Sequence, residues 1–392
     1  MLPLEIAENI YDVGVQDWAV RDFHGYKTER GATYNSYLIM DEKITLIDTV
    51  KAPFAKELLA NIAKVVDPGK IDYVIVNHVE PDHSGAMPAL AEACPNATFV
   101  ITPQGKTEAQ QHYGDIFNFK VVKDGEVLNI GQRNLTFASM AMLHWPDNMA
   151  TYCDKEGILF SNDAFGQHYA TSQRFDDQVN PDELFYEAKK YFANILWPYA
   201  KLIGKAIAKV APLTINMIAP SHGVIWRTGI GKIVECYSKW GAGVSDGTIV
   251  IAYDSMWGGT EEMARAISRG AAAAGAVVKL HKLSASPNSS VVADAFTAKA
   301  VLFGSSTLNN GMLPSMGSLL IYLKGLKPTG KIAAAFGTCG WAGGAQKDME
   351  ELLTKAGFTV EAGYNCKWRP QPAEIAAAED YGYSFAKKIL EG

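Results

Sequence analysis

The chain has 392 residues, enough for two or three domains of ordinary size and a sizeable core. A hydrophobic fraction of 48 % and a charged fraction of 20 % argue against disorder, collagen and coiled coil. Lys plus Arg is 36 against 42 Asp plus Glu, a net charge of −6 with no basic run, which disfavours nucleic acid or an anionic membrane as the main partner. In chain order, residues 33–40 and 43–48 read as a hairpin about the turn Asp41-Glu42. Four later segments share one design, a short apolar strand ending in a polar cluster. They are 71–76 before His78, 135–143 before His144, 157–161 before Asp163, and 215–219 before Ser221-His222-Gly223. Loops at strand ends are where a rigid scaffold displays chemistry.

The texture changes near residues 241–247, and seven of the eight histidines precede that point. A boundary near residue 245 gives domains 1–245 and 246–392. Beyond it the pattern is regular: strand 248–253, a glycine loop, helix 261–274, strands 277–282, 300–304 and 331–336, and helices 345–355 and 373–390. Strands alternating with helices predict a parallel sheet covered on both faces. No apolar stretch reaches the ~20 residues of a transmembrane helix, and the start, residues 1–8, lacks the pattern of a secretory signal. The five cysteines, Cys94, Cys153, Cys236, Cys339 and Cys366, are scattered, without a Cys-x-x-Cys pair. They form neither a disulfide framework nor a thiolate metal site, and a reducing cytoplasm is expected.

The sharpest feature is His78-Val79-Glu80-Pro81-Asp82-His83, which places four metal-ligand types in six residues. In an extended segment alternate side chains share a face, so His78, Glu80 and Asp82 are expected to converge. His83 then points to the other side, which allows two metals. Pro81 and Ser84-Gly85 suggest a turn in place of a continuing strand. A solvated polar loop is the plain alternative for any one of these residues. It accounts poorly for all of them together with His144, Asp163 and His222, each at a strand end.

The run His-x-Glu-x-Asp-His, followed by a distant His, Asp and His, resembles the metallo-β-lactamase fold in its flavodiiron variety. The zinc hydrolase pattern of that fold has His where this chain has Glu80. Glu80, Asp82 and Asp163 supply three negative charges and four imidazoles complete the set, without a thiolate. Such oxygen-rich ligation suits iron or manganese better than a purely imidazole zinc site. Three carboxylates also offset most of the charge of a diferrous pair and half that of a diferric one. The resemblance implies that His78, Glu80 and His144 hold one iron, that Asp82, His83 and His222 hold the other, and that Asp163 bridges them. It also implies an αββα sandwich. His24 resembles a family position lining the pocket over the irons, and His168 and Tyr191 are further candidates to donate a hydrogen bond to bound dioxygen or nitric oxide. His112 and His281 read as surface residues.

After the first strand of the second domain comes Ser255-Met256-Trp257-Gly258-Gly259-Thr260, then a helix. A hydroxyl-rich glycine loop at a helix N-terminus binds phosphate through backbone N–H groups and the helix dipole. The Walker and Gly-x-Gly-x-x-Gly patterns are both absent. Two more loops follow predicted strands, one with Ser305, Ser306, Thr307 and Asn309, the other with Gly337, Gly340, Trp341 and Gly343. Three loops at the carboxyl ends of parallel strands make a crevice at a switch point, and Trp341 between glycines can stack on an isoalloxazine ring. This part resembles flavodoxin, a doubly wound α/β fold, and its first loop looks like an FMN phosphate loop.

The whole chain thus resembles a flavodiiron protein. The resemblance implies reduction of dioxygen to water, of nitric oxide to nitrous oxide, or both, with electrons passing through FMN to two irons. A domain of about 245 residues has a radius of gyration of about 18 Å, so a flavin at the far end of the second domain could lie too far from its own irons for rapid electron transfer. The family solves this with a head-to-tail homodimer, expected here as a dimer or tetramer. Without a Cys-x-x-Cys pair for an appended rubredoxin domain, the expected donor is a separate rubredoxin or similar protein. The competing readings are a metal-dependent hydrolase fused to a flavin domain and a flavin electron carrier with a vestigial metal domain.

Overall fold

The computed structural model describes residues 3–391. Met1 and Leu2, on which part of the reading of the chain start rests, and Gly392 lie outside the described residues. The chain divides into two compact units. One comprises the residues up to Phe23, Thr28–Tyr191 and Lys201–Ala242. The other comprises His24–Lys27, Phe192–Ala200 and the chain from Gly243 onward.

The first unit holds two large sheets. Seven strands run in the order Leu4–Ala7, Ile10–Asp12, Tyr37–Ile39, Thr45–Ile47, Tyr73–Val76, Thr98–Ile101 and Phe119–Val121. Five run in the order Val127–Asn129, Asn134–Ser139, Met149–Cys153, Ile158–Asn162 and Met217–Pro220. Alternation along each strand sends side chains to opposite faces. Ile39, Ile47, Ile75 and Val100 of the first sheet meet Phe137, Met149, Ile158 and Phe160 of the second in one core. On the outer face of the first sheet, Leu38, Leu46, Val74 and Phe99 lie under Leu58 and Ile62 of helix Ala55–Ala63 and Met87 and Leu90 of helix Met87–Ala93. On the outer face of the second, Ala150, Tyr152 and Leu159 pack with Val210 of helix Ala200–Val210. The order is therefore helix, sheet, sheet, helix. Burial on both faces explains why the central strands read as continuous apolar runs.

Two expected elements differ. Residues 33–40 do not form one strand. Ala32–Tyr34 pairs with Val15–Asp17 in a separate two-stranded sheet, while Tyr37–Ile39 pairs antiparallel with Thr45–Ile47. Asn35 leaves the ladder because its N–H donates to the Ser221 carbonyl (2.8 Å) and its amide to the carbonyls of Pro220 (2.8 Å) and Gly223 (3.0 Å). Ser36 likewise donates to the Asp48 carbonyl. The strand expected over 135–143 ends at Ser139, and the chain turns back before Met149.

In the large sheet of the second unit the five strands are parallel, in the order Val278–Lys282, Ile249–Asp254, Ala300–Ser306, Ile332–Cys339 and Thr359–Lys367. The order reverses beside Ile249–Asp254, the switch point at whose carboxyl ends such sheets bind ligands. One face packs Ile249, Ile251, Leu302 and Phe336 under Met263 and Ile267 of helix Gly259–Ala273 and Phe385 and Ile389 of helix Pro372–Glu391. These helices approach backbone to backbone: a Cβ on Gly270 would stand 1.8 Å from the Glu379 carbonyl oxygen. Three elements were not among those expected, helices Asn288–Thr297 and Pro314–Leu326 and the edge strand Thr359–Lys367. That strand is mostly half-exposed and carries Glu, Gly and Asn, so no apolar run announces it. Residues 192–200 join this unit through Phe192 and Trp197 against Phe296, and through Asn194, which donates to Ser289 and accepts from Tyr322. Among the described residues no helix is long and apolar enough to cross a membrane.

Candidate dimetal and flavin sites

The strands before His78, Asp163 and Ser221-His222 end on one edge of the first unit, as does the turn carrying His144. Their side chains gather into two adjoining groups. One holds His78, Glu80, His144 and Asp163, the other Asp82, His83 and His222, and within each group the donor atoms lie within 4.8 Å of one another. Asp163 faces both. Its Oδ2 is 3.3 Å from His144 Nε2 and 3.7 Å from His78 Nε2, while Oδ1 is 3.0 Å from His83 Nε2 and 3.5 Å from His222 Nε2. The extended geometry expected through Asp82 does not occur. Pro81 starts a single helical turn, Pro81–Ser84, which swings Asp82 away from His78 and Glu80 and towards His222, with Asp82 Oδ2 3.2 Å from His222 Nε2.

Residues the sequence did not single out aim the imidazoles. Asp147 takes His78 Nδ1 at 3.0 Å and the Val79 N–H at 2.7 Å. The Thr33 carbonyl takes His222 Nδ1 at 2.6 Å. Such partners set which ring nitrogen is left to bind a metal. Asp147 lies three residues after His144 in the same short motif, the one local signal for it. Tyr191 is buried, and its hydroxyl donates to Asp163 Oδ1 at 2.9 Å. Burial first, then the Asp163 charge, keeps its phenol well above the ordinary range and so protonated. His168 is buried 5.0 Å from the rings of both Tyr191 and His222. Burial and the neighbouring His222 hold its imidazole well below the ordinary range, so it stands neutral. His24 lies in the exposed segment that groups with the second unit. His112 is exposed, but His281, expected at the surface, is half-buried with Nε2 3.0 Å from Asp294.

The donor set fits a pair of hard to borderline cations. Asp82 Oδ1, Asp163 Oδ2 and both ring nitrogens of His83 are buried without a hydrogen-bond partner among the described residues. Leaving such atoms unpaired costs about 1–3 kcal/mol each, more where they are charged, and metal ions would satisfy the two carboxylate oxygens and one of the His83 nitrogens. In the metal-free protein the histidines instead pair with protons. Burial alone would lower them, yet Asp147 and Glu80 push His78 up to about 10, Asp82 and Asp163 push His83 up to about 9, and Asp163 and Glu80 push His144 up to about 10. Conversely, burial alone would raise the Asp163 carboxyl, and His83 and His144 hold it well below the carboxylate range.

A folded-state pKa above the unfolded value of about 6.5 stabilises fully below that value, and the contribution is lost as pH rises through the folded pKa. The melting temperature of the metal-free protein is therefore expected to fall as pH rises from about 6.5 through the values of about 9 to 10. Iron-loaded protein, whose imidazoles are already neutral ligands, should lack this fall. Scanning calorimetry of both forms across that range checks it, and parallel curves would contradict it.

In the second unit a cavity of about 750 Å³ opens at the switch point. Met256, Trp257, Gly259, Ser306, Thr307, Asn309, Gly340, Trp341 and Gly343 line it, as do Trp368 and Arg369, which the sequence reading missed. Gly258 adopts φ 87° and Ser255 Oγ accepts its N–H, which shapes the turn into the helix starting at Gly259. Thr260 Oγ1 lies 2.9 Å from both Ser306 Oγ and Thr338 Oγ1, so a hydroxyl from the helix start and two from strand ends meet beneath the loop. Ser255, Gly258, Thr260, Ser305 and Gly337 do not line the cavity. Ser305 Oγ is turned to its own strand and to the Leu313 N–H, and a Cβ on Gly337 would stand 2.0 Å from the Ser305 carbonyl oxygen. Trp257, Trp341 and Trp368 are 92 %, 80 % and 62 % exposed. Apolar rings held around a polar, glycine-rich floor suit a flat aromatic ligand with a phosphate tail. Trp368 carries the same local signal as Trp341, a large aromatic in a polar turn, here before Arg369-Pro370.

A β-lactamase-like sandwich bearing paired nitrogen and oxygen donors, joined to a flavodoxin-like sheet with a ring-and-phosphate cleft, defines a metal- and flavin-dependent oxidoreductase. Residues 32–223 match the family described as ODP family beta lactamase, and residues 251–382 match Flavodoxin. The chain is 46 % identical to a nitric oxide reductase of Moorella thermoacetica, over 99 % of each chain. It is 40 % identical to the anaerobic nitric oxide reductase flavorubredoxin of Escherichia coli, covering 99 % of this chain and 82 % of that one. Among solved structures it is similar to the flavodiiron protein of Giardia intestinalis (TM-score 0.97, 37 % identity, 100 % and 97 % covered). It is also similar to rubredoxin oxygen:oxidoreductase of Desulfovibrio gigas (TM-score 0.96, 40 % identity, 99 % of each chain). The chain belongs to the flavodiiron protein family.

Proposed function

We infer that this protein is an oxidoreductase that reduces dioxygen to water or nitric oxide to nitrous oxide, with FMN and a non-haem iron pair as cofactors. The observation that carries this reading is the seven-donor cluster, in which Asp163 turns one oxygen to each group. The nitric oxide reductase and oxygen:oxidoreductase named among its relatives support the same chemistry. His78, Glu80 and His144 would hold one iron, Asp82, His83 and His222 the other, and Asp163 would bridge. When bound, the irons supply the redox centre that takes up the gas and FMN supplies its electrons.

The chain's own residues set the conditions for that chemistry. Asp147 and the Thr33 carbonyl fix the rings of His78 and His222. Tyr191 keeps its proton and holds Asp163 in place. Neutral His168 adds no charge to a pocket already crowded with imidazoles and, with His24, is offered as a residue lining the gas pocket. Ser255–Thr260 and the loops carrying Ser306, Thr307, Asn309, Gly340, Trp341 and Gly343 would cradle FMN, with Trp341 against its ring. A separate rubredoxin-type donor, a head-to-tail homodimer, a functional boundary near residue 245 and a cytoplasmic location complete the proposal. The names of the relatives support the donor, and five free cysteines support the compartment.

A hydrolase reading has Glu80 against it, since a carboxylate replaces an imidazole of the zinc pattern, and a complete donor set opposes a vestigial metal domain. The test is metal and flavin content after growth in iron-rich medium, followed by anaerobic assays with each gas and reduced rubredoxin. Two irons and one FMN per chain with gas consumption are expected. Zinc with hydrolytic activity, or FMN without metal, would overturn the reading.

A further inference from the structure

Reduction of one dioxygen to two waters takes up four electrons and four protons, and reduction of two nitric oxide molecules to nitrous oxide and water takes up two of each. The seven-donor cluster is buried, apart from a partly exposed His144, so protons need a way in. Helix Pro181–Tyr191 carries groups suited to supply one. Its last residue is Tyr191, which reaches Asp163. Glu187 lies four residues earlier, on the same helix face. It is buried, and its Oε2 has no hydrogen-bond partner among the described residues. Lys190, whose side chain is 1 % exposed, pairs with Glu29, whose side chain is 47 % exposed. Arg30 links Glu183, at 2.7 Å, to Glu187, at 3.9 Å, and Tyr169 donates to Glu183. Ionisable groups thus run from solvent at Glu29 and Glu183 to the buried Glu187 and Lys190.

We propose that Glu187 is the proton-carrying group of an inlet to the dimetal pocket, loaded from Glu29 and Glu183 at the surface and emptied towards the pocket beside Tyr191 and His168. The cycle is balanced. The Glu187 carboxylate gains a proton from solvent by way of the outer carboxylates, loses the same proton inward, and returns to its starting form. The electrons arrive separately through the flavin. A buried carboxylate serves this purpose only if it exchanges protons near neutrality, and burial pushes Glu187 up to about 7 against the pull of Lys190. The charged and titratable groups facing it are Lys190 and Glu183 on its own helix, Glu29 and Arg30 on the preceding segment, and Tyr169 across from them. The unpartnered oxygen also argues against a purely structural carboxylate, which would be held by two or more donors.

The inference rests on the function proposed above, so two readouts are used. In metal-free protein, infrared difference spectra should show a carboxyl stretch titrating near pH 7 that is absent from Glu187→Gln. In iron- and FMN-loaded protein, Glu187→Gln should slow gas consumption at least about tenfold, raise the solvent deuterium isotope effect and remove the limb of the pH profile near neutrality. Iron content and the rate of FMN reduction by dithionite should not change. Glu187→Asp should keep most of the rate, and acetate should restore part of it to Glu187→Ala. Glu29→Gln, at the exposed end, should slow turnover in the same direction without loss of iron. No carboxyl titration near neutrality that Glu187→Gln removes, or wild-type rate and isotope effect in Glu187→Gln, would overturn the inlet. If Glu187→Gln fails to load iron, a wild-type rate in Glu29→Gln together with no acetate rescue decides against it. Loaded wild-type protein that consumes neither gas would instead sink the functional reading, with the infrared result standing on its own.

Discussion

Asp163→Asn is expected to strip the protein of its iron and abolish reduction of both gases while leaving FMN bound. The carboxylate presents Oδ2 to His78 and His144 and Oδ1 to His83 and His222, so one substitution replaces the oxygen facing His78 and His144 with a non-ligating amide nitrogen and removes the negative charge shared by both groups. Loss of an outer partner of a metal ligand costs roughly 10–100-fold in affinity or activity, and loss of a shared ligand should exceed that. Asparagine keeps the shape, and its amide still accepts from Tyr191, so the fold should persist. The substitution also removes a counter-charge from His83 and His144, whose raised pKa values depend on it. Those imidazoles should then titrate nearer neutrality in the metal-free protein. Metal analysis, gas-consumption assays and histidine NMR titration read these three effects. Two irons and a wild-type rate in Asp163→Asn would remove the central role given to this residue.

Thr260→Val is expected to weaken FMN binding about 10- to 100-fold with iron content unchanged. Valine preserves the β-branched shape but deletes the hydroxyl on which Ser306 and Thr338 converge, each at 2.9 Å. Ser306 and Thr338 are themselves 3.5 Å apart and would be left with a weak mutual bond. An unsatisfied buried polar group costs about 1–3 kcal/mol, and 1.4 kcal/mol corresponds to a factor of ten in affinity. Here the loss falls on the floor of the phosphate loop. Fluorescence titration of flavin-stripped protein measures it. Unchanged affinity would mean that the hydroxyl cluster serves the fold alone.

The two sites were legible in the sequence to different depths. His78, Glu80, Asp82 and His83 stand in one short run, and each of His144, Asp163 and His222 follows a strand, so type and spacing alone suggested a metal pair. An extended chain would place Asp82 with His78 and Glu80. The helical turn begun by Pro81 separates them, and only the resemblance to the flavodiiron family divided the donors as the structure groups them. In the flavin cleft, the loop from Ser255 to Thr260 was legible because a glycine-rich turn before a helix is a local signal. Trp368 also stands in a polar turn, but the edge strand that delivers it has too few apolar residues to be recognised, so nothing local ties that turn to the cleft.

What is local along the chain is legible from residue order. That includes the alternation of strands and helices after residue 245, the glycine loop at a helix start, and the chemical types that can bind metal without thiolate. What depends on packing between distant segments emerges only in the folded chain. Asn35 leaves its strand to hold the loop around Ser221 and Gly223. Asp147 turns to His78 across 69 residues, and the Thr33 carbonyl to His222 across 189. Residues 24–27 and 192–200 join the second unit. One cause is common to all of them. A hydrogen bond or a buried contact between remote residues leaves no period in the sequence, and it forms only once the sheets have brought the strand ends together.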